Sequence, residues 1–192
     1  MESEPLVHSP FAQISQMLRQ HGMYAALEVL NLRTRYRYTG VYQVAPPLLR
    51  NVCLFDRENP RVRTMDDLVL HDSYCGIVAR SGESFAVKNS QTDARLTSHP
   101  ARATMIAYHG FPLRDTTDRC FGSLCHWDVR PRLLPKGEAQ LLHDVAPMIA
   151  HAVLLQWRRA WRHRDASSLT RGLPARERIQ VRLDDEADDR PR

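Results

Sequence analysis

The sequence predicts an α+β fold: a central antiparallel sheet with helices from the two ends of the chain on one face. Three observations carry that prediction. Both ends of the globular stretch show helical periodicity, the segments between alternate with the period of strands, and the strands are separated by short polar or proline-containing turns.

The elements follow in order. Ser9 can cap a helix that has Pro10 at its first position. Phe11, Ile14, Met17 and Leu18, then Met23, Leu27 and Leu30, continue at helical spacing, so a helix or broken helix pair is expected over 10–32, with Gly22 as the break. From Arg35 the period changes to that of a strand, rich in Tyr36, Tyr38, Val41, Tyr42 and Val44. Pro46-Pro47 turns the chain into a second alternating run over 48–55, making a hairpin, and residues 56–60 form a loop. Residues 64–80 read as a short helix and a packed turn around Ser73-Tyr74-Cys75-Gly76. Phe85-Ala86-Val87 is a short strand, and 93–102 a short helix or loop crossing the sheet edge. Two longer strands, 105–113 and 119–127, are joined by the polar turn 114–118. Leu141, Leu142, Val145, Met148, Ile149, Ala152 and Val153 then mark a final helix over about 137–161, which Pro147 is expected to kink or split.

The chain has 192 residues, enough for one sizeable core, and is read as a flexible N-terminus (1–9), a domain (10–157) and a charged, disordered tail (158–192). No apolar run approaches the roughly 20 residues that cross a bilayer, and the acidic start lacks the pattern of a signal peptide, so a cytoplasmic location is expected. The net charge of +5 does not imply nucleic acid, because arginines after 157 are mixed with a run of acids. The basic run 157–164 reads as an exposed helix end, with cations at the negative end of the helix dipole.

The succession Ser73-Tyr74-Cys75-Gly76, Phe85-Ala86-Val87-Lys88-Asn89, Asp93-Ala94-Arg95-Leu96, Ala107-Tyr108-His109-Gly110-Phe111-Pro112-Leu113 and Phe121-Gly122-Ser123-Leu124-Cys125-His126-Trp127-Asp128 resembles the GAF domain family, in its small bacterial signalling form. The resemblance covers roughly 10–157 and is strongest at 73–132. It implies terminal helices packed on one face of the sheet and a ligand pocket on the other. It also implies a small-ligand sensor or a regulatory, dimerising module rather than an enzyme.

Candidate chemistry is sparse. Cys53, Cys75, Cys120 and Cys125 form no Cys-x-x-Cys pair, and strand alternation sends Cys120 and Cys125 to opposite faces unless a bulge near Gly122 resets the register. No metal is expected, and the thiols read as buried and free. The enzyme alternative is a thiol redox protein using Cys75 or Cys125, similar to the GAF-type reductases of free methionine sulfoxide, although the cysteine positions differ from their pattern. A covalent bilin is not expected, since the stretch 101–105 lacks the attachment cysteine. His99 and His109 read as structural histidines rather than haem ligands. The Asn-Lys motif of cyclic-nucleotide-binding members is absent too.

The cofactor or ligand therefore stays open. A pocket would draw its aromatic walls from Tyr74, Tyr108 and Phe111, with Ser73, Cys75, Asp93, Arg95, His109 and His126 as polar anchors. The expected partners are an unidentified small molecule, a second copy through the terminal helices and a signalling protein acted on in trans; neither nucleic acid nor a membrane span is expected.

Overall fold

The structure, a computed structural model, describes residues 9–169. Helix α1 (Pro10–His21) begins as its sequence dictates, with Ser9 Oγ accepting a hydrogen bond from Ala12 N at 3.1 Å. Gly22, at φ 85°, ends it, and α2 (Met23–Leu32) follows at once. Then come β1 (Tyr38–Ala45), β2 (Leu48–Asp56), β3 (Leu68–Val69), α3 (Tyr74–Ser81), β4 (Phe85–Val87), β5 (Ala107–Arg114), β6 (Cys120–Asp128) and α4 (Glu138–Leu169). The strands form one antiparallel sheet in the order β3-β2-β1-β6-β5-β4, so the first and last strands meet at its centre.

The segment expected as a short helix or loop crossing the sheet edge is a run of three 3₁₀ turns, Ser90–Thr92, Ala94–Leu96 and Pro100–Ala103. Other details differ from the sequence reading. The short strand β3 was not anticipated. Residues 73–76 are the start of α3 rather than a packed turn. Pro147 lies inside α4 without dividing it, and α4 continues past residue 157 to Leu169, into the stretch read as tail. Residues 1–8 and 170–192, read as flexible ends, lie outside the described residues. One compact unit ends at Ala152, and the rest of α4, from Val153, belongs to a second.

The two faces of the sheet have different partners. Alternation along β6 shows the division. Cys125 meets Cys75 of α3. The next residue, His126, points the other way, stacks on Tyr36 and bonds Thr39, whose hydroxyl is in turn reached by Asn31 of α2. Asn31 organises that end of the helix face. Its Nδ2 donates to Tyr36 O and Thr39 Oγ1, and its Oδ1 accepts from Arg57 Nε. Arg33, just past α2, pairs with Glu138 at the start of α4.

Helix α3 sits on the opposite face, against β5 and β6. Ser73 is its N-cap, accepting from Gly76 N at 3.1 Å. Gly76 is required by space: a Cβ there would lie 1.8 Å from the Leu70 carbonyl oxygen. The first turn of α3 is thus pressed against the backbone before it. Gly76→Ala is expected to destabilise the fold by about 3 kcal/mol, the upper end for overpacking, as a lowered midpoint in urea.

Candidate functional site

The α3 face holds a buried cluster that includes Tyr42, Leu70, Tyr74, Cys75, Leu96, Tyr108, Cys125 and Trp127. At its centre Cys125 stands between two glycines, being paired in register with Gly40 on β1 and with Gly110 on β5. A Cβ on Gly40 would come within 2.9 Å of the Tyr42 ring, and one on Gly110 within 2.1 Å of the Tyr108 hydroxyl. The two tyrosines therefore lie over the two glycines and wall in Cys125. Cys75, the second residue of α3, closes this box, its Sγ 3.8 Å from Cys125 Sγ and accepting a hydrogen bond from the Tyr108 hydroxyl at 3.3 Å. Both thiols are at most 1% exposed. Burial by itself raises the Cys75 thiol, but the Cys125 thiol, Ser123 and the Tyr108 hydroxyl around its sulfur hold it below the ordinary thiol range. Cys125 is pushed well up by burial and by the neighbouring Cys75.

Beside this box the face is edged with aromatic rings. Tyr38 stacks on Trp127 with centroids 3.8 Å apart. Tyr74 touches Phe85, His99 and Tyr108. Of the six buried side-chain polar atoms without a hydrogen-bond partner among the described residues, five lie on this face: Asn51 Nδ2, Tyr74 Oη, His99 Nε2, Ser123 Oγ and Trp127 Nε1. Asn51 and Trp127 both approach the Tyr42 hydroxyl without a directed hydrogen bond, and their donor groups oppose the strong rise that burial imposes on Tyr42. The Tyr42 hydroxyl itself is given only to the Met65 thioether, a weak acceptor, at 2.9 Å. Three donors thus gather beneath Met65, which is tied down by its own N–H to Asn51 Oδ1.

The residues singled out in the sequence do not converge on one site. Ser73, Tyr74, Cys75 and Tyr108 share the α3 face, buried. His109, Phe111 and His126 project from the other face: His109 stacks on Phe111, and Phe111 meets His143 of α4. Strand parity is the reason, since Tyr108 and His109 are adjacent on β5, as Cys125 and His126 are on β6. Asp93 and Arg95 form an ion pair at the sheet edge, where Asp93 caps the 3₁₀ turn Ala94–Leu96 and Arg95 lies over the Phe85 ring and donates to Ala86 O. Asn51, Tyr42, Tyr38, Met65 and Trp127 were missed; the dense aromatic and amide content of the strands was their only signal.

Two hollows lie elsewhere. One of about 410 Å³ is lined by Phe111, Pro112, Arg114, His143 and Pro147 among others, and one of about 520 Å³ by Arg35, Lys88, Arg132 and neighbouring prolines. Neither contains the unpartnered donors. Among the described residues no three His, Cys, Asp or Glu side chains come together as metal ligands, and no helix is long and apolar enough to cross a membrane.

No family model and no curated protein matches the sequence. Solved structures do match. The GAF domain of an Acinetobacter phosphoenolpyruvate-protein phosphotransferase aligns at TM-score 0.65 and 11% identity, over 82% of this chain and 99% of that one. The equivalent domain from Coxiella burnetii aligns at TM-score 0.61 and 10% identity, over 79% and 94%. The free methionine-R-sulfoxide reductase of Neisseria meningitidis aligns at TM-score 0.58 and 16% identity, over 79% and 92%. The chain has a GAF-like fold. That fold is shared by the GAF domains of phosphotransferases and by reductases, and identities this low establish the fold alone.

On the helix face, the fully buried His126 gives a pH test. Thr39 Oγ1, which accepts from Asn31 Nδ2, also shares a 2.7 Å hydrogen bond with His126 Nδ1. Burial, with His109 and Arg57 adding to it, pulls this histidine down from 6.5 to about 3. The unfolded chain therefore binds the extra proton first, so stability is full above pH 6.5 and falls as the pH drops toward 3. Equilibrium unfolding is expected to lose up to about 1.4 kcal/mol per pH unit in that window. The slope should flatten in His126→Asn, which keeps a polar partner for Thr39.

Proposed function

We propose that this chain is a GAF-type sensor that takes a small ligand on the α3 face of its sheet and passes the change to its terminal helices. The observation that supports this reading is the gathering of Asn51 Nδ2, Trp127 Nε1 and the Tyr42 hydroxyl beneath Met65. A buried donor without an acceptor costs about 1–3 kcal/mol, so donors so placed favour a molecule that supplies acceptors. The stacked Tyr38 and Trp127 rings beside them favour a planar molecule carrying carbonyl or carboxylate oxygens.

In the same proposal the protein acts in the cytoplasm as a regulatory module on a separate signalling partner, and pairs with a second copy through its terminal helices. Phe11 on α1, 42% exposed, is an apolar group such pairing would cover. A thiol reductase working through Cys75 or Cys125 ranks behind the sensor, because turnover on methionine sulfoxide requires room for that whole substrate beside a sulfur, and both sulfurs are buried, within reach only of a reagent little larger than water.

Native mass spectrometry of the purified protein, then thermal shift across a panel of planar heteroaromatic carboxylates and amides, tests the ligand reading. A binder is expected to raise the melting temperature of the natural chain. Trp127→Phe and Asn51→Leu should each weaken it about tenfold, the worth of one hydrogen bond of about 1.4 kcal/mol. A binder unaffected by both changes would place the ligand elsewhere, and no binder in either experiment would overturn the reading.

A further inference from the structure

We infer that Cys75 and Cys125 are a redox modification site, closing to a reversible disulfide between α3 and β6 when the protein meets a hydroperoxide. This does not rest on the ligand reading. It stands on the geometry of the box. The two sulfurs are 3.8 Å apart, and a disulfide needs about 2.05 Å, so bond formation asks for an approach of roughly 1.8 Å. Cys125 lies on a strand bonded on both sides, by β1 and β5, and Cys75 in the capped first turn of α3, so the approach falls to rotation of the two side chains about their Cα–Cβ bonds.

The chemistry assigns different roles to the two thiols. The Tyr108 hydroxyl donates to Cys75 Sγ, which favours the thiolate there, while Cys125 keeps its proton. The Cys75 thiolate attacks one oxygen of the hydroperoxide and breaks the O–O bond, leaving Cys75 as a sulfenic acid and the other oxygen as an alkoxide or hydroxide, which takes up a proton. Cys125 then attacks the sulfenic sulfur, its thiol proton leaving with the hydroxyl as water. Two thiols lose two electrons and two protons, and the hydroperoxide is reduced to water and an alcohol, or to two waters when it is hydrogen peroxide. A small dithiol reverses the bond by exchange. Cys53 and Cys120 are both half-buried, and burial raises each of these thiols. Among the described residues, Cys75 and Cys125 are the one pair of cysteines whose sulfurs meet.

The test uses the full chain and hydrogen peroxide at a modest excess, under conditions where far-ultraviolet circular dichroism shows the fold intact. The protein is then denatured in an alkylating agent and its mass and peptides are measured. The expected result is a chain lighter by two hydrogens, with two of its four cysteines protected, a peptide pair joining Cys75 to Cys125, and full reversal by dithiothreitol. The double variant Cys53→Ser, Cys120→Ser should oxidise as the natural chain does. Cys125→Ser should lose the joined peptide and stop at an alkylation-blocked or over-oxidised Cys75. Should Cys125→Ser fail to fold, Tyr108→Phe serves instead, and oxidation slowed several-fold is expected. Four free thiols after treatment, or a disulfide that includes Cys53 or Cys120, would overturn the inference. A ligand found or not found by thermal shift leaves this result unchanged, so the two readings fail separately.

Discussion

The fold of the α3 face depends on a contact with no slack: the backbone of α3 at Gly76 resting on the carbonyl of Leu70. That contact fixes how deeply the helix sits. Ser73 caps the helix from the same turn, so its start and its depth are set together. At this depth Cys75 reaches the sheet and completes the enclosure formed by Tyr42, Tyr108 and Cys125. A helix standing further off would leave the Tyr108 hydroxyl without its sulfur acceptor. It would also leave the cluster less densely filled, and packing density of this kind is what gives a core a single arrangement.

The two faces of one sheet solve the burial of polar groups differently. On the helix face they are largely paired. Asn31 joins α2 to the start of β1, Thr39 passes the chain of bonds to His126, and Asp56 holds the guanidinium of Arg37, whose bonds keep that carboxyl below its usual range although burial alone would raise it. The α3 face instead keeps donors with no strong acceptor beside flat aromatic surface. A face whose role is to hold helices gains from complete pairing.

Much of the architecture was legible in the sequence because it rests on local signals. Ser9-Pro10 started the first helix, Gly22 divided it, Pro46-Pro47 turned the hairpin, and alternation located β5 and β6. The candidate site was harder to read. Parity along β5 and β6 separates Tyr108 from His109 and Cys125 from His126, so that part was present in the sequence and outweighed by their nearness along the chain. Asn51 was a different matter. Tyr42 faces Asn51, whereas Val41 faces Cys53, so Val52 is passed over in a bulge. A one-residue slip exchanges the faces of a strand, and nothing local in 48–55 announces it. The meeting of Cys75 with Cys125, 50 residues apart, likewise depends on where a helix comes to rest on the sheet.

The pairing of each flat tyrosine with a bare glycine also bears on how this sequence can vary over time. Tyr42 over Gly40 and Tyr108 over Gly110 are each a ring and the vacancy of side chain that admits it, two positions apart on one strand. Neither member is free to change alone. A side chain gained at the glycine evicts the ring, and a ring lost from the tyrosine leaves a hole above the glycine. Descendants of this chain should therefore inherit or exchange these residues two at a time. In an alignment of its relatives the two couples would show as covarying columns, whatever else the family has changed.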